Sequence, residues 1–283
     1  MRNKTTHSVK YGLLSALCLL LLFSCELKRY NSPPGYDFSA PEKIIMRESL
    51  LEISGIAFHH GNPDTVLAIN DEDGRLFFFP IDKKKAYATK FSKNGDFEDV
   101  AVYKNLIYTL RSDGTLFSFS DSIKQKKVKA RKWENVFPKG EYESLCALET
   151  DNKLYTLCKK CGKEKHIIKG YTLDLADSSG SKVTSFQIDL SGMSSLAGKV
   201  RRAFQPSALA LHRLTGEWYI LSSVHKTLLI ADAGWKPKAA YALDPKYFNQ
   251  PEGIAFDDVG HLYISNEGNE IQNGNIMRFA FVR

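Results

Sequence analysis

With 283 residues, of which 43% are hydrophobic, the chain carries enough apolar material for a sizeable core, which excludes a disordered polypeptide. The formal charge of +7 includes Arg2, Lys4 and Lys10 of an N-terminal leader; without them 36 basic side chains face 32 acidic ones, a net +4. That bias is too mild for a nucleic-acid surface, and the basic cluster from Lys124 to Lys132 has no interleaved aromatics, so it reads as a solvated edge strand.

The leader begins Met1-Arg2-Asn3-Lys4 and continues into an apolar run from Leu13 to Phe23 that stops at Ser24-Cys25. A spanning helix needs roughly 20 apolar residues, so this shorter run reads as a cleaved export signal over residues 1–24. Leu22-Phe23-Ser24-Cys25 resembles the lipobox of bacterial lipoproteins, in which the cysteine is acylated and becomes the new N-terminus. Acyl chains on Cys25 would hold the protein on a membrane without a transmembrane helix. Glu26 follows the cysteine, where aspartate would resemble an inner-membrane retention signal, so the expected location is the cell envelope, at either face of the outer membrane. Residues 25–41, with Asn31-Ser32-Pro33-Pro34-Gly35 and no apolar periodicity, read as lipidated cysteine and tether.

From residue 42 to 283 one pattern recurs. Ser54-Gly55-Ile56-Ala57-Phe58, Glu98-Asp99-Val100-Ala101-Val102, Glu143-Ser144-Leu145-Cys146-Ala147, Ser207-Ala208-Leu209-Ala210-Leu211 and Glu252-Gly253-Ile254-Ala255-Phe256 start 44, 45, 64 and 45 residues apart. Each opens a set of short strand-like runs, the second of which ends at Asn70, Arg111, Cys158, Ser222 or Asn266. Asn62-Pro63-Asp64, Asp151-Asn152 and Asp258-Val259-Gly260 supply turns between first and second runs. Repeats of this length predict an all-β fold, a single β-propeller of five four-stranded blades, with six blades the alternative. The fifth blade runs out of chain after three strands, and Lys43 to Arg47 is expected to supply the fourth. Ser191 to Phe204 reads as an inserted loop or short helix.

In such a ring the start of each first strand and the end of each second strand meet at one face. That places Glu98, Glu143 and Glu252 beside Ser54, Asn70, Asp71, Arg111, Ser207, Ser222, Asn266 and Glu267. Carboxylates crowded there must be protonated, paired with a cation or bound to a metal. Ca²⁺ is the ion that suits such an oxygen set, with Glu98, Glu143 and Glu252 as its ligands. The other resolution is pairing with Arg111 and Lys159.

The motifs Glu52-Ile53-Ser54-Gly55-Ile56, Asn70-Asp71-Glu72, Phe97-Glu98-Asp99-Val100, Tyr142-Glu143, Pro206-Ser207-Ala208-Leu209 and Gln250-Pro251-Glu252-Gly253-Ile254-Ala255-Phe256 with Leu262-Tyr263-Ile264-Ser265-Asn266-Glu267 resemble the SdiA-regulated family of propeller proteins. The resemblance implies an envelope-associated, calcium-binding propeller with no implied activity. Asp99, Ser144 and Ala208 stand where Glu252 and Ser54 are followed by glycine, a departure from a shared ligand site at blades two to four. The last blade also resembles lactonase and NHL-type propellers, some of them metal-dependent hydrolases. Two functions are therefore expected: a monomeric binding module for a small-molecule, glycan or protein ligand, or a metal-dependent lactonase or esterase using the same acidic face. Catalytic histidines are not evident, since His59, His60, His212 and His261 fall at the opposite face and only His166 and His225 approach the acidic one.

Of the remaining cysteines, Cys158 and Cys161 with His166 offer an incomplete zinc set, and a disulfide among Cys146, Cys158 and Cys161, or buried thiols, is the simpler reading in an oxidising compartment. Phe77, Phe79, Tyr155, Trp218 and Tyr263 are expected to pack between blades. Trp235 reads either as a surface contact or as blade packing.

Overall fold

Short apolar, β-branched and aromatic runs lay down antiparallel strands, many of them buried on both faces, as in Thr227–Ala231 and Leu262–Asn266, and the intervening turns fold every four of them into one sheet. The computed structural model describes residues 30–81, 86–121, 125–161, 166–176, 182–196, 200 and 203–283. Cys25 and the leader lie outside them. Residues from Asn31 to Arg283 form one unit, and its strands make five four-stranded sheets.

Blade one holds β2 (Ile53–His59), β3 (Asn62–Asn70), β4 (Arg75–Phe79) and β5 (Tyr87–Lys90); blade two holds β6 (Phe97–Tyr103), β7 (Leu106–Arg111), β8 (Leu116–Ser120) and β9 (Arg131–Trp133). Blade three is β10 (Cys146–Leu148), β11 (Lys153–Leu157), β12 (Ile167–Asp174) and β13 (Val183–Asp189), and blade four is β14 (Ala208–His212), β15 (Glu217–Ser222), β16 (Thr227–Ala231) and β17 (Pro237–Ala242). Blade five joins β18 (Pro251–Phe256), β19 (Leu262–Asn266) and β20 (Asn275–Phe279) to β1 (Glu42–Ile45) from the other end of the chain.

That closure was expected from the missing strand. Glu42 to Ile45 pair in register with Arg278 to Asn275, and an ion pair from Arg278 Nη1 to Glu42 Oε2 (2.7 Å) adds to the seam. The segment ahead of β1, read as a tether from 25 to 41, is docked from Asn31 onward. Tyr36 and Phe38 are buried among side chains of blades four and five, and the Tyr36 hydroxyl donates to the Gly260 carbonyl at 2.6 Å. Two large aromatics outweigh the flexibility that Pro33-Pro34-Gly35 suggested.

The first hairpin differs from expectation in its turn. His60 (φ 52°) and Gly61 (φ 78°) form a two-residue connection, with His59 paired to Asn62, so Asn62-Pro63-Asp64 lies within β3. Positive φ at both turn residues matches the twist of the flanking strands. Asn152 (φ 56°) and Gly260 (φ 91°) do sit in turns where the sequence put them.

The inner strands surround the axis: Ile56, Val100, Leu145, Leu209 and Ile254, one from each blade, line a narrow axial cavity of about 90 Å³. Aromatic layers fill the wedges between blades, as expected for Phe77, Phe79, Tyr155, Trp218 and Tyr263. Trp235 is part of this packing: its ring stacks on Phe186 at 4.0 Å and on Trp218 at 4.4 Å. From the insertion after β13, Met193, Leu196 and Phe204 are buried against the same cluster.

Between blades the polar positions at the strand starts act as fasteners. Asp99, buried, accepts from its neighbour Val100 N–H (2.8 Å) with Oδ1 and from Leu145 N–H of blade three (2.6 Å) with Oδ2. Its carboxyl packs against Gly55, where a Cβ would come within 2.2 Å of Asp99 Oδ1. The Ser265 hydroxyl donates to the Ser54 carbonyl (2.7 Å), and the Ser207 hydroxyl to the Pro251 carbonyl (3.0 Å). Replacing Asp99 with alanine strands two buried N–H donors, so the midpoint of urea unfolding is expected to fall by the equivalent of about 2–4 kcal/mol with an unchanged slope.

Candidate functional site

Because β2, β6, β14 and β18 run in the same sense about the axis and β10 completes the ring, the residues at their starts converge on one mouth. Glu98 lies in β6 and Glu252 in β18; Glu143 sits beside the isolated Tyr142–Cys158 bridge that precedes β10. Glu267 follows β19 and Asp71 follows β3. Thus the three expected metal ligands and two of the expected channel residues gather into one electrostatic cluster.

Each of these carboxyls is held above its ordinary range, and removal from water is the largest cause in every case. Glu98 is pushed up to about 10, with the charges of Glu143 and Asp96 adding to burial. Glu143 rises to about 7 although Lys159 donates a hydrogen bond to its Oε1. Glu267 rises to about 8, reinforced by Glu252 and Asp71 and opposed by a hydrogen bond from the Gln250 amide. Asp71 rises to about 6, raised further by the charge of Glu52 and by a carboxyl–carboxyl hydrogen bond to it. Glu252 is raised by burial against a hydrogen bond from Ser223 and the charges of Lys159 and Lys226.

Among the described residues, two lysines thus oppose five shifted carboxyls. Burial lowers Lys226 despite its acidic neighbours, and its Nζ donates to the Ser223 carbonyl at 2.7 Å. Among the described residues, Asp71 Oδ1 and Asn266 Oδ1 are buried acceptors with no hydrogen-bond donor. Asn266 is fully buried, its amide donates to Asn275 Oδ1 at 3.2 Å, and it pairs in register with Pro251, next to Glu252. Beside the cluster an open recess of about 400 Å³ is bordered by Asp71, Glu72, Asn94, Gly95 and Asp96.

The other expected channel residues serve the frame. The Ser54 backbone carbonyl and the Ser207 hydroxyl fasten blades, as above. Asn70 Oδ1 accepts from Asp73 N–H at 3.2 Å, and the Ser222 hydroxyl hydrogen-bonds His225 Nδ1 at 3.0 Å. Arg111, expected to pair with the channel carboxylates, is instead captured in its own turn. Its Nε and Nη2 donate to the two oxygens of Asp113, two residues on, and Nη2 also donates to Thr115 Oγ1 at 3.2 Å. The turn closed by Gly114 (φ 83°) holds Asp113 against the Arg111 guanidinium, Nη2 to Oδ2 2.5 Å. Cation pairing therefore falls to Lys159 and to Lys226, which sequence reasoning missed because it lies four residues past the end of β15 and not directly after it.

Cys158 and Cys161 form a disulfide, Cα to Cα 5.7 Å, so a zinc set with His166 is not what these thiols make. Cys146 is free, and burial pushes its thiol up to about 12.

The sign of the pH dependence follows from the shifts. The folded protein retains protons on Glu98, Glu143 and Glu267 that the unfolded chain gives up near the ordinary glutamate value of 4.5. Stability from these groups is complete below that value and is lost as pH rises toward about 7 for Glu143, about 8 for Glu267 and about 10 for Glu98. In metal-free buffer the melting temperature is expected to fall between about pH 5 and 8, each group adding at most roughly 1.4 kcal/mol per pH unit. Glu98→Gln should flatten the slope of that decline.

No family model and no curated protein matches the chain, and among the described residues no helix is long and apolar enough to cross a membrane. Solved structures do match. Glutaminyl cyclase from Myxococcus xanthus is similar at 15% identity with a TM-score of 0.56 over 86% of this chain and 96% of that one. A luciferin-regenerating enzyme is similar at 9% identity with a TM-score of 0.52 over the same shares, 86% and 96%. At such identities the likeness is one of architecture: the chain is a β-propeller.

Proposed function

We propose that the protein is a lipid-anchored propeller of the cell envelope, related to the SdiA-regulated family, that binds a ligand at its acidic mouth with Ca²⁺ as a structural or ligand-bridging ion. The observation that carries this reading is the imbalance at the mouth, five desolvated carboxyls against two lysines. A cation placed there would relieve their mutual repulsion and give the donorless Asp71 and Asn266 oxygens a partner.

The carboxylates of Glu98, Glu143 and Glu252 would hold the ion, which would compete with Lys159 for Glu143. All the candidate ligand atoms are hard oxygens, which suits Ca²⁺ better than a thiophilic metal. The apolar axial cavity behind the mouth favours a ligand that sits on the face over one that threads the ring. Anchoring rests on the Ser24-Cys25 junction and outer-membrane delivery on Glu26. The mild net charge argues against nucleic acid as partner, and the protein is expected to act as a monomer.

A hydrolytic reading draws on Glu98. A carboxyl still protonated at neutral pH beside a lysine-paired Glu143 has the polarity of a general acid near an anion, which is how one site separates acid and base roles. The propellers of similar architecture include enzymes, and a lactone or ester would be the substrate class.

For the binding reading, saturating Ca²⁺ is expected to raise the melting temperature of the protein purified with chelator, by about 2.7 kcal/mol of added stability at one hundred times its dissociation constant. Glu252→Gln should lose most of that gain. A melting temperature indifferent to Ca²⁺ would contradict it. Turnover of lactones or esters that disappears in Glu98→Gln would move the assignment to the hydrolase.

A further inference from the structure

The opposite end of the ring carries a second cluster of different chemistry. Consecutive residues of an extended strand point to opposite faces, but the left-handed backbone of His60 (φ 52°) turns its ring to the side of His59, with centroids 4.3 Å apart. His59 Nε2 lies 2.6 Å from Asp121 Oδ2, which comes from the residue after β8 in the next blade. The ligand atoms offered by His59, His60 and Asp121 all lie within 4.8 Å of one another. His60 Nδ1 also lies 3.3 Å from Glu149 Oε1, an oxygen that accepts the Lys104 N–H at 3.0 Å.

We propose that His59, His60 and Asp121 form a site for a divalent transition-metal ion, tying blade one to blade two. Two imidazoles and one carboxylate are a borderline nitrogen and oxygen set that favours Zn²⁺, Fe²⁺, Co²⁺ or Ni²⁺ and disfavours Ca²⁺. On binding, the ion takes the place of the proton in the His59–Asp121 hydrogen bond, and that proton leaves to the other ring nitrogen or to solvent. Three protein ligands leave open coordination positions. A cavity of about 280 Å³ between the two blades shares His59 and Asp121 with the site and is otherwise bordered by Thr65, Leu67, Phe78 and Ile107 among others. An open position would face this cavity, where water or a small oxygen ligand could bind. Glu149 is placed to orient His60 from outside the ligand set, as partners of metal-bound histidines do.

The test is calorimetric titration of the purified protein with Zn²⁺ in excess Ca²⁺, with Co²⁺ substitution to read the coordination from its visible spectrum. One ion per chain is expected, with the cobalt spectrum of a nitrogen and oxygen site. His60→Ala, His59→Gln and Asp121→Asn should each weaken binding by about 100-fold or more, since direct ligands contribute at least as much as the outer partners worth 10–100-fold. His60 is exposed, and its removal leaves the His59–Asp121 bond in place, so that variant keeps the test valid should the others misfold. Absence of Zn²⁺ binding, displacement of Zn²⁺ by Ca²⁺, or undiminished affinity in a His59→Gln/His60→Ala double variant would overturn the proposal.

Discussion

The pairing of β1 with β20 is the constraint on which the molecule depends. A ring of separate blades stays closed only if its two chain ends are tied together, and here the first strand of the fold completes the last blade. Once closed, the ring has no freedom to spread its inner strands, so whatever side chains stand at their starts are brought to one mouth. The docking of Tyr36 and Phe38 against blades four and five reinforces the same seam.

That convergence turns an unremarkable set of acids into a high-energy cluster. Spread over a surface, Glu98, Glu143, Glu252, Glu267 and Asp71 would be solvated and independent. Held together with little water, they raise one another's affinity for protons, and the two lysines within reach offset only part of the effect. Folding energy supplied by the aromatic wedges between blades offsets this cost, a pattern common where a structure is built to receive a ligand. The opposite end of the ring gathers His59, His60 and Asp121, so one scaffold presents an all-oxygen cluster at one end and a mixed nitrogen and oxygen cluster at the other.

Much of this was legible in the sequence. The spacing of the Ser/Glu segments set the blade count, the missing fourth strand of blade five pointed to the N-terminus, and the carboxyls were found because propeller geometry leaves their positions little latitude. What escaped was decided by local competition. Arg111 looked like a channel cation, but Asp113 two residues away captures it through a tight turn. Asp99 looked like a departure from a glycine pattern and is instead the acceptor that joins two blades, made possible by the absence of a side chain at Gly55. The His60–Gly61 turn was hidden by the stronger-looking Asn62-Pro63-Asp64, and with it the pairing of two adjacent histidines on one side of a strand.

The acids of the mouth are expected to hold protons that a bound cation replaces. Calorimetric titration of Ca²⁺ near neutral pH in buffers of different ionisation enthalpy measures that exchange directly. Heats that vary with the buffer are expected, corresponding to release of about one proton or more per ion bound, as for sites whose ligands must deprotonate. Binding with buffer-independent heats would mean that the carboxyls were already ionised, and would contradict that expectation.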